Sequence, residues 1–347
     1  MDAAAGAGRV TNAADLVADV DRIAAESSFA GVVRVDRAGT TELSAAYGLA
    51  DRRHGIAMTP DSQVAIASGS KGMTALAVMS LVEEGTLSLG TTARSLLGTD
   101  LPLIADDVTV EHLLGHTSGI GDYLDEDDDI PISAYAMTVP VHELDSTEQF
   151  LRVLDGFPTA FPAGDRFFYC NGGFVVLALL AERASGVPFH DLVRDRVCRP
   201  AGLADTDFLR SDALPGRAAL GYVEMDGQWR TNVFHVPVLG TGDGGIYTTG
   251  ADVHRFWTAL FAGAIISTDG VAQMVRPRST APEDPRRYGL GFWVHPTRDV
   301  AELEGYDAGA SFLSLHDPAD GLTVTVMGTT AEAAWPLARF LQARLVD

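Results

Sequence analysis

A serine and a lysine three positions apart, in Ser68-Gly69-Ser70-Lys71, form the spacing best suited to covalent chemistry in this sequence. On a helix three residues make about one turn, so the hydroxyl and the amine share a face. An amine that sheds its proton can act as base to the hydroxyl and make the serine a nucleophile for a carbonyl carbon. Lysine can do this when desolvated, whereas arginine effectively cannot. The chain draws that distinction itself: of 25 basic residues Lys71 is the only lysine. The plain alternative is a helix-capping serine beside a solvated lysine. With 18 serines in 347 residues, chance places one three before the lysine about one time in twenty.

A second group lies about a hundred residues on, at Tyr169-Cys170-Asn171. Residues two apart in an extended segment point the same way, so Tyr169 and Asn171 can face one site. A tyrosine beside a cationic lysine can relay protons to and from Ser68. An asparagine amide both donates and accepts, which suits orienting a lysine and a substrate carbonyl. Taken alone, the triplet also reads as a buried tyrosine beside a helix-capping asparagine.

Three other patterns carry less. Gly240, Gly242 and Gly245 satisfy G-x-G-x-x-G, but β-like residues from Ile246 follow where a dinucleotide site needs a helix to open, so a turn near the active site is expected. His112 and His116, with Glu111 adjacent, have a zinc-like spacing, yet Gly115 and the Thr117-Ser118-Gly119 turn interrupt the helix and no third ligand is evident. Structural histidines, and no metal, are the expectation. The acidic run 125–129 reads as a solvated stretch of a long loop or lid over 121–145, one that could favour cationic substrates. The nucleophile elbow G-x-S-x-G is absent, which removes the main support for an α/β-hydrolase fold.

The elements that must position these groups follow from hydrophobic periodicity. Residues 13–26 read as an amphipathic helix, and 29–35 and 41–47 as strands joined by a turn at 37–40. An apolar helix is expected over 69–84, with Gly85 as its C-terminal cap, then further helices over 173–184 and 250–261. Residues 288–294, 311–316 and 322–327 read as strands and 331–345 as a final helix. Strands at both ends with helices between them imply one sheet built from the two termini around an inserted helical lobe. The expected class is an α/β (α+β) sandwich forming a single catalytic domain. Its sheet lobe spans about 1–66 and 240–347, and its helical lobe about 67–239.

Composition is that of a soluble globular protein, with 46% hydrophobic and 21% charged residues. No apolar run reaches the roughly 18 residues that a membrane span needs. The first twenty residues lack the basic start and apolar stretch of a secretory signal, so the chain reads as cytoplasmic. A formal charge of −22 argues against nucleic acid and anionic membranes as partners. Two cysteines, Cys170 and Cys198, do not make a disulfide framework, and both are expected to be free.

Taken together, these residues resemble the serine β-lactamase and penicillin-binding-protein-like superfamily, closest to its class C β-lactamase and family VIII-type esterase branch. The similarity runs from about 29 to 330, through AYGLADRRHGIAMTPDSQVAIASGSKGMTALAVMSLVEEGTLSL, VTVEHLLGHTSGI, FPAGDRFFYCNGGFVVLALLAERASGVPF, RPAGLADT, GDGGIYTTGADVHRF and YGLGF. The resemblance implies Ser68 as acylated nucleophile, Lys71 as its base partner, Tyr169 as second general acid/base and Asn171 as the amide that positions substrate. It implies no metal and no organic cofactor.

The family's third motif, Lys-Thr-Gly or His-x-Gly on a strand lining the site, is replaced here by Leu303-Glu304-Gly305. The missing cation commonly grips a substrate carboxylate, so a small uncharged ester or amide fits better than a β-lactam or a D-Ala peptide. Glu304, Gly305 and Tyr306 then become the substrate-binding stretch. Gly305 lets substrate approach the strand edge, and the N–H groups of Ser68 and Tyr306 form the oxyanion hole. The expected activity is ester or amide hydrolysis through an acyl-enzyme. A transacylase of natural-product assembly, a D-amino-acid peptidase or amidase, and a non-catalytic scaffold are the alternatives; the oligomeric state is open.

Overall fold

The computed structural model describes residues 13–125, 130–281 and 284–346. Its centre is an antiparallel sheet whose eight strands run, in spatial order, Ser279–Thr280, Arg287–Tyr288, Trp293–Val294, Ala301–Asp307, Ala310–Asp317, Leu322–Gly328, Gly31–Arg37 and Thr40–Tyr47. The two ends of the chain meet in it, with Val33 opposite Val326. Side chains alternate between the two faces, as strand geometry requires. Val33, Val35, Leu313, Leu315, Val324 and Val326 cluster with residues of the helices Ala13–Glu26 and Trp335–Leu345. Val32, Leu303, Phe312 and Met327 join a second, larger core with the helices Lys71–Glu83, Asn171–Ser185 and Gly250–Phe261. The expected α/β sandwich with a sheet drawn from both termini is what the chain adopts.

The helix Lys71–Glu83 lies in the middle of that second core, and every residue from Lys71 to Leu81 is buried. It is apolar all round, as a fully buried helix must be. Small residues let it pack closely. A side chain at Gly72 would meet Leu303 at 2.6 Å, and one at Gly291 would meet Ala75 at 2.3 Å. Among the described residues no single helix is long and apolar enough to cross a membrane.

Several element boundaries differ from those read in the sequence. Residues 288–294 are not one strand. Strands Arg287–Tyr288 and Trp293–Val294 pair with each other across a turn at Gly289-Leu290-Gly291-Phe292. Leu290 and Phe292 are fully buried, so the apolar run reflects a buried turn and not a continuous strand. The helix expected at 69–84 is preceded by a separate 3₁₀ turn, Ala67–Ser70, which carries the serine. The second core helix begins at Asn171, two residues earlier than expected, capped by the Cys170 thiol accepting the Gly173 N–H at 3.3 Å. The last helix starts at Trp335 and not at 331. Cys170 and Cys198 are both buried and unbridged.

The 121–145 segment is not wholly a surface loop. Its start folds into the interior near Lys71, and 3₁₀ turns follow at Ile132–Ala134 and Val141–Glu143. Of the acidic run, residues 126–129 lie outside the described residues.

Candidate active site

Ser68 stands in the 3₁₀ turn directly before the buried core helix, and backbone packing holds that turn from three sides. Ala67 has a φ of 45°, a left-handed conformation that costs a non-glycine residue roughly 1 kcal/mol and persists only where its surroundings impose it. The Ile66 N–H donates to the Ile246 carbonyl at 3.0 Å, and the Ile246 N–H to Ser70 Oγ at 3.2 Å. A side chain at Gly69 would meet the Phe312 ring at 2.4 Å, and one at Gly305 would meet the Ile66 carbonyl oxygen at 2.1 Å. The strand Ala301–Asp307 therefore lies flush against the serine turn, with Gly305 at the point of contact.

Lys71 is 2% exposed, and the partners of its Nζ include Ser68 Oγ at 2.7 Å, Asn171 Oδ1 at 2.7 Å and the Asp243 carbonyl at 3.0 Å. The orientation of the Asn171 amide is fixed, because its Nδ2 donates to the Leu124 carbonyl at 2.9 Å and Oδ1 must turn to the lysine. Asn171 Oδ1 and the Asp243 carbonyl can only accept. A neutral amine has two N–H bonds and one lone pair. A lone pair turned towards Ser68 Oγ can accept the hydroxyl proton. The ammonium form fills the same geometry by donating its third proton to that oxygen.

Tyr169 joins the group through its ring. The Lys71 Nζ lies 4.9 Å from the ring centroid. The ring packs between His116, at 4.3 Å between centroids, and Trp293, stacked at 6.2 Å. His116 packs against this ring, and among the described residues no group of three or more His, Cys, Asp or Glu could hold a metal ion. The His116 Nδ1 accepts the Cys170 N–H at 3.1 Å, and burial drives its pKa well below the usual imidazole range. His112 is occupied elsewhere, as its Nδ1 accepts the Thr109 N–H in a helix cap. The turn 240–245 packs against the helix Asn171–Ser185. A side chain at Gly242 would meet the Phe174 carbonyl at 2.0 Å, so the glycines serve close approach and bring the Asp243 carbonyl to Lys71.

Two carboxylates that sequence reasoning missed complete the surroundings. Asp122 accepts the N–H groups of Asn171 at 2.5 Å, Gly172 at 2.8 Å and Leu124 at 3.3 Å. It thereby anchors the first turn of the helix that presents Asn171. Burial pushes its pKa up to about 6, against the pull of those donors. The Asp243 carboxylate is raised by burial and opposed by the nearby charge of Lys71, and the Tyr123 hydroxyl donates to it.

Ser68, Asn171 and Tyr306 line one cavity that opens to solvent. Leu303, which the resemblance sets where the family carries a cation, is buried against Gly72. Glu304 lies apart from the cavity wall. Its carboxylate pairs with Arg286, and it borders a separate groove with His295 and Trp335.

A core helix preceded by a serine turn, a lysine at the serine's hydroxyl, and a flanking strand pressed against both make up the arrangement that the sequence resemblance implies. The chain belongs to the Beta-lactamase family, whose model matches residues 16–345. It is 27% identical over 275 residues to the putative penicillin-binding protein PbpX of Bacillus subtilis, covering 78% of this chain and 63% of that protein. It is 34% identical over 223 residues to esterase EstB of Burkholderia gladioli, covering 62% of this chain and 55% of that protein. The chain thus spans less than two thirds of the length of these curated relatives. The crystal structure of a penicillin binding protein from Bacillus halodurans superposes with a TM-score of 0.88 at 32% identity, covering 94% of this chain and 100% of that one.

Proposed function

We propose that the chain hydrolyses a small ester, or a reactive amide, through an acyl-enzyme on Ser68. The observation that carries this reading is the buried Lys71 Nζ at 2.7 Å from Ser68 Oγ, where a neutral amine can take the hydroxyl proton. Ser68 Oγ bonds to the carbonyl carbon while its proton passes to Lys71. The N–H groups of Ser68 and Tyr306 hold the oxyanion. The proton then moves through Lys71 and Tyr169 to the leaving oxygen or nitrogen as its bond to the carbonyl carbon breaks. Water repeats the sequence on the acyl-enzyme, releasing the acid and restoring Ser68.

An ester is favoured over a β-lactam because Leu303 offers no charge to a substrate carboxylate, and the similarity to esterase EstB points the same way. Steady-state turnover of p-nitrophenyl acetate, D-phenylalanine amide and benzylpenicillin tests the ranking. The ester is expected to have the highest kcat/KM and the penicillin the lowest by at least about a hundredfold. Efficient penicillin hydrolysis would overturn it.

A further inference from the structure

We propose, resting on the hydrolase reading above, that His116 is a positioning residue: it acts through Tyr169 and aims the tyrosine hydroxyl at the leaving group. His116 brackets the tyrosine with two hydrogen bonds. Its carbonyl accepts the Phe168 N–H at 2.8 Å and its Nδ1 accepts the Cys170 N–H at 3.1 Å. The residues on either side of Tyr169 are thus tied to one histidine. The imidazole also lies against the Tyr169 ring, with 4.3 Å between centroids. Backbone and ring of Tyr169 are therefore held by the same residue, and that ring lies 4.9 Å from the Lys71 Nζ. A proton passed between Lys71, Tyr169 and a leaving group depends on this alignment.

His116 keeps features that packing alone would not need. Its φ of 54° is left-handed, a conformation that strains a non-glycine residue unless the surroundings impose it. A backbone N–H can only donate, so Nδ1 is unprotonated and the ring proton sits on Nε2. Nε2 is buried without a hydrogen-bond partner, and the rings of Phe174 and Tyr288 stand at 4.9 and 4.8 Å from the imidazole. A phenylalanine would suit those rings and orphan no side-chain atom, but it would leave the Cys170 N–H unpaired. Histidine supplies a flat ring and an acceptor together. Burial first, and then the charge of Lys71, keep the imidazole neutral, which is the state that acceptance from Cys170 requires.

Two substitutions each remove half of the hold. His116→Asn keeps a side-chain acceptor and tolerates the positive φ but loses the ring; His116→Phe keeps the ring and loses the acceptor. Each is compared on p-nitrophenyl acetate, whose phenolate leaves readily, and on p-cresyl acetate, whose phenolate needs a proton as its bond breaks. Rates are taken per active site, counted from the p-nitrophenol burst. Either variant is expected to lower kcat/KM for the cresyl ester about tenfold more than for the nitrophenyl ester. In Tyr169→Phe protein, which has no hydroxyl to aim, the same substitutions should add less than about twofold. Equal losses on the two esters, or an undiminished loss beside Tyr169→Phe, overturn the positioning role. A second measurement needs no turnover: the fluorine resonance of 3-fluorotyrosine placed at position 169 should move or broaden in His116→Asn. An unmoved resonance overturns the hold on the ring whether or not Ser68 is acylated. A resonance that moves in a protein whose Ser68 no activated ester acylates overturns the hydrolase reading instead and leaves the hold on Tyr169 standing.

Discussion

At the scale of single residues the account rests on proton ownership. Lys71 is the one basic side chain able to exist as a neutral amine at the serine, because a guanidinium does not release its proton. Lys71→Arg is therefore expected to lower kcat by about a thousandfold, within the range that general-base groups contribute, while Ser68→Ala abolishes turnover. Burst and steady-state kinetics on a p-nitrophenyl ester read both, and near-normal turnover by Lys71→Arg would remove the lysine from the mechanism. Gly305 makes a separate claim. A Cβ there would stand 2.1 Å from the Ile66 carbonyl, so Gly305→Ala must push strand and serine turn apart. Forced overpacking of this kind costs about 1–3 kcal/mol. Denaturant unfolding should show that loss together with a fall in activity, and a fully active, equally stable variant would contradict the close contact.

At the scale of elements, the helix Asn171–Ser185 holds its first residue in place through Asp122, which is reached from a different part of the chain. The carboxyl is raised from 3.8 to about 6 by burial, and two consequences have opposite signs. The folded state holds this proton more tightly than the unfolded chain, so the group's own contribution to stability declines as pH rises from about 4 to about 6 and is level above that. Activity moves the other way, because the ionised carboxylate accepts all three N–H groups and the protonated one loses acceptor capacity. The kcat/KM profile is expected to rise through a limb near pH 6. Asp122→Asn should remove that limb and lower the plateau; a limb unchanged in the variant would assign it to another group. The nucleophile pair and the Tyr169/Asn171 pair could be proposed from spacing along the chain, since each is local, and Gly305 from the family resemblance. Asp122 and Asp243 could not, because their partners lie 49 and 120 residues away, and a loop's polar composition says nothing about which of its residues turn inward.

At the scale of the whole molecule, periodicity made the sheet and the main helices legible, while their boundaries depended on contacts. The 288–294 run looked like a strand because both it and the observed buried turn are apolar. Phe312 shows how the parts are joined, since it belongs to the sheet, to the core around Lys71–Glu83 and, through Gly69, to the serine turn. A sheet whose two faces carry both cores predicts one cooperative transition. Near-ultraviolet dichroism of Trp257, buried with its Nε1 donating to Ser314 Oγ at 2.9 Å, should melt together with the far-ultraviolet signal of the helices. Two separated transitions would mean that sheet and helical lobes are independent units. The central claim, a covalent intermediate on Ser68, is tested most directly by intact-protein mass spectrometry of the chain quenched within seconds of mixing with p-nitrophenyl acetate. The account predicts a single acetyl adduct that peptide mapping places on Ser68 and that is missing from Ser68→Ala. An adduct on another residue, or turnover that persists in Ser68→Ala, would contradict it.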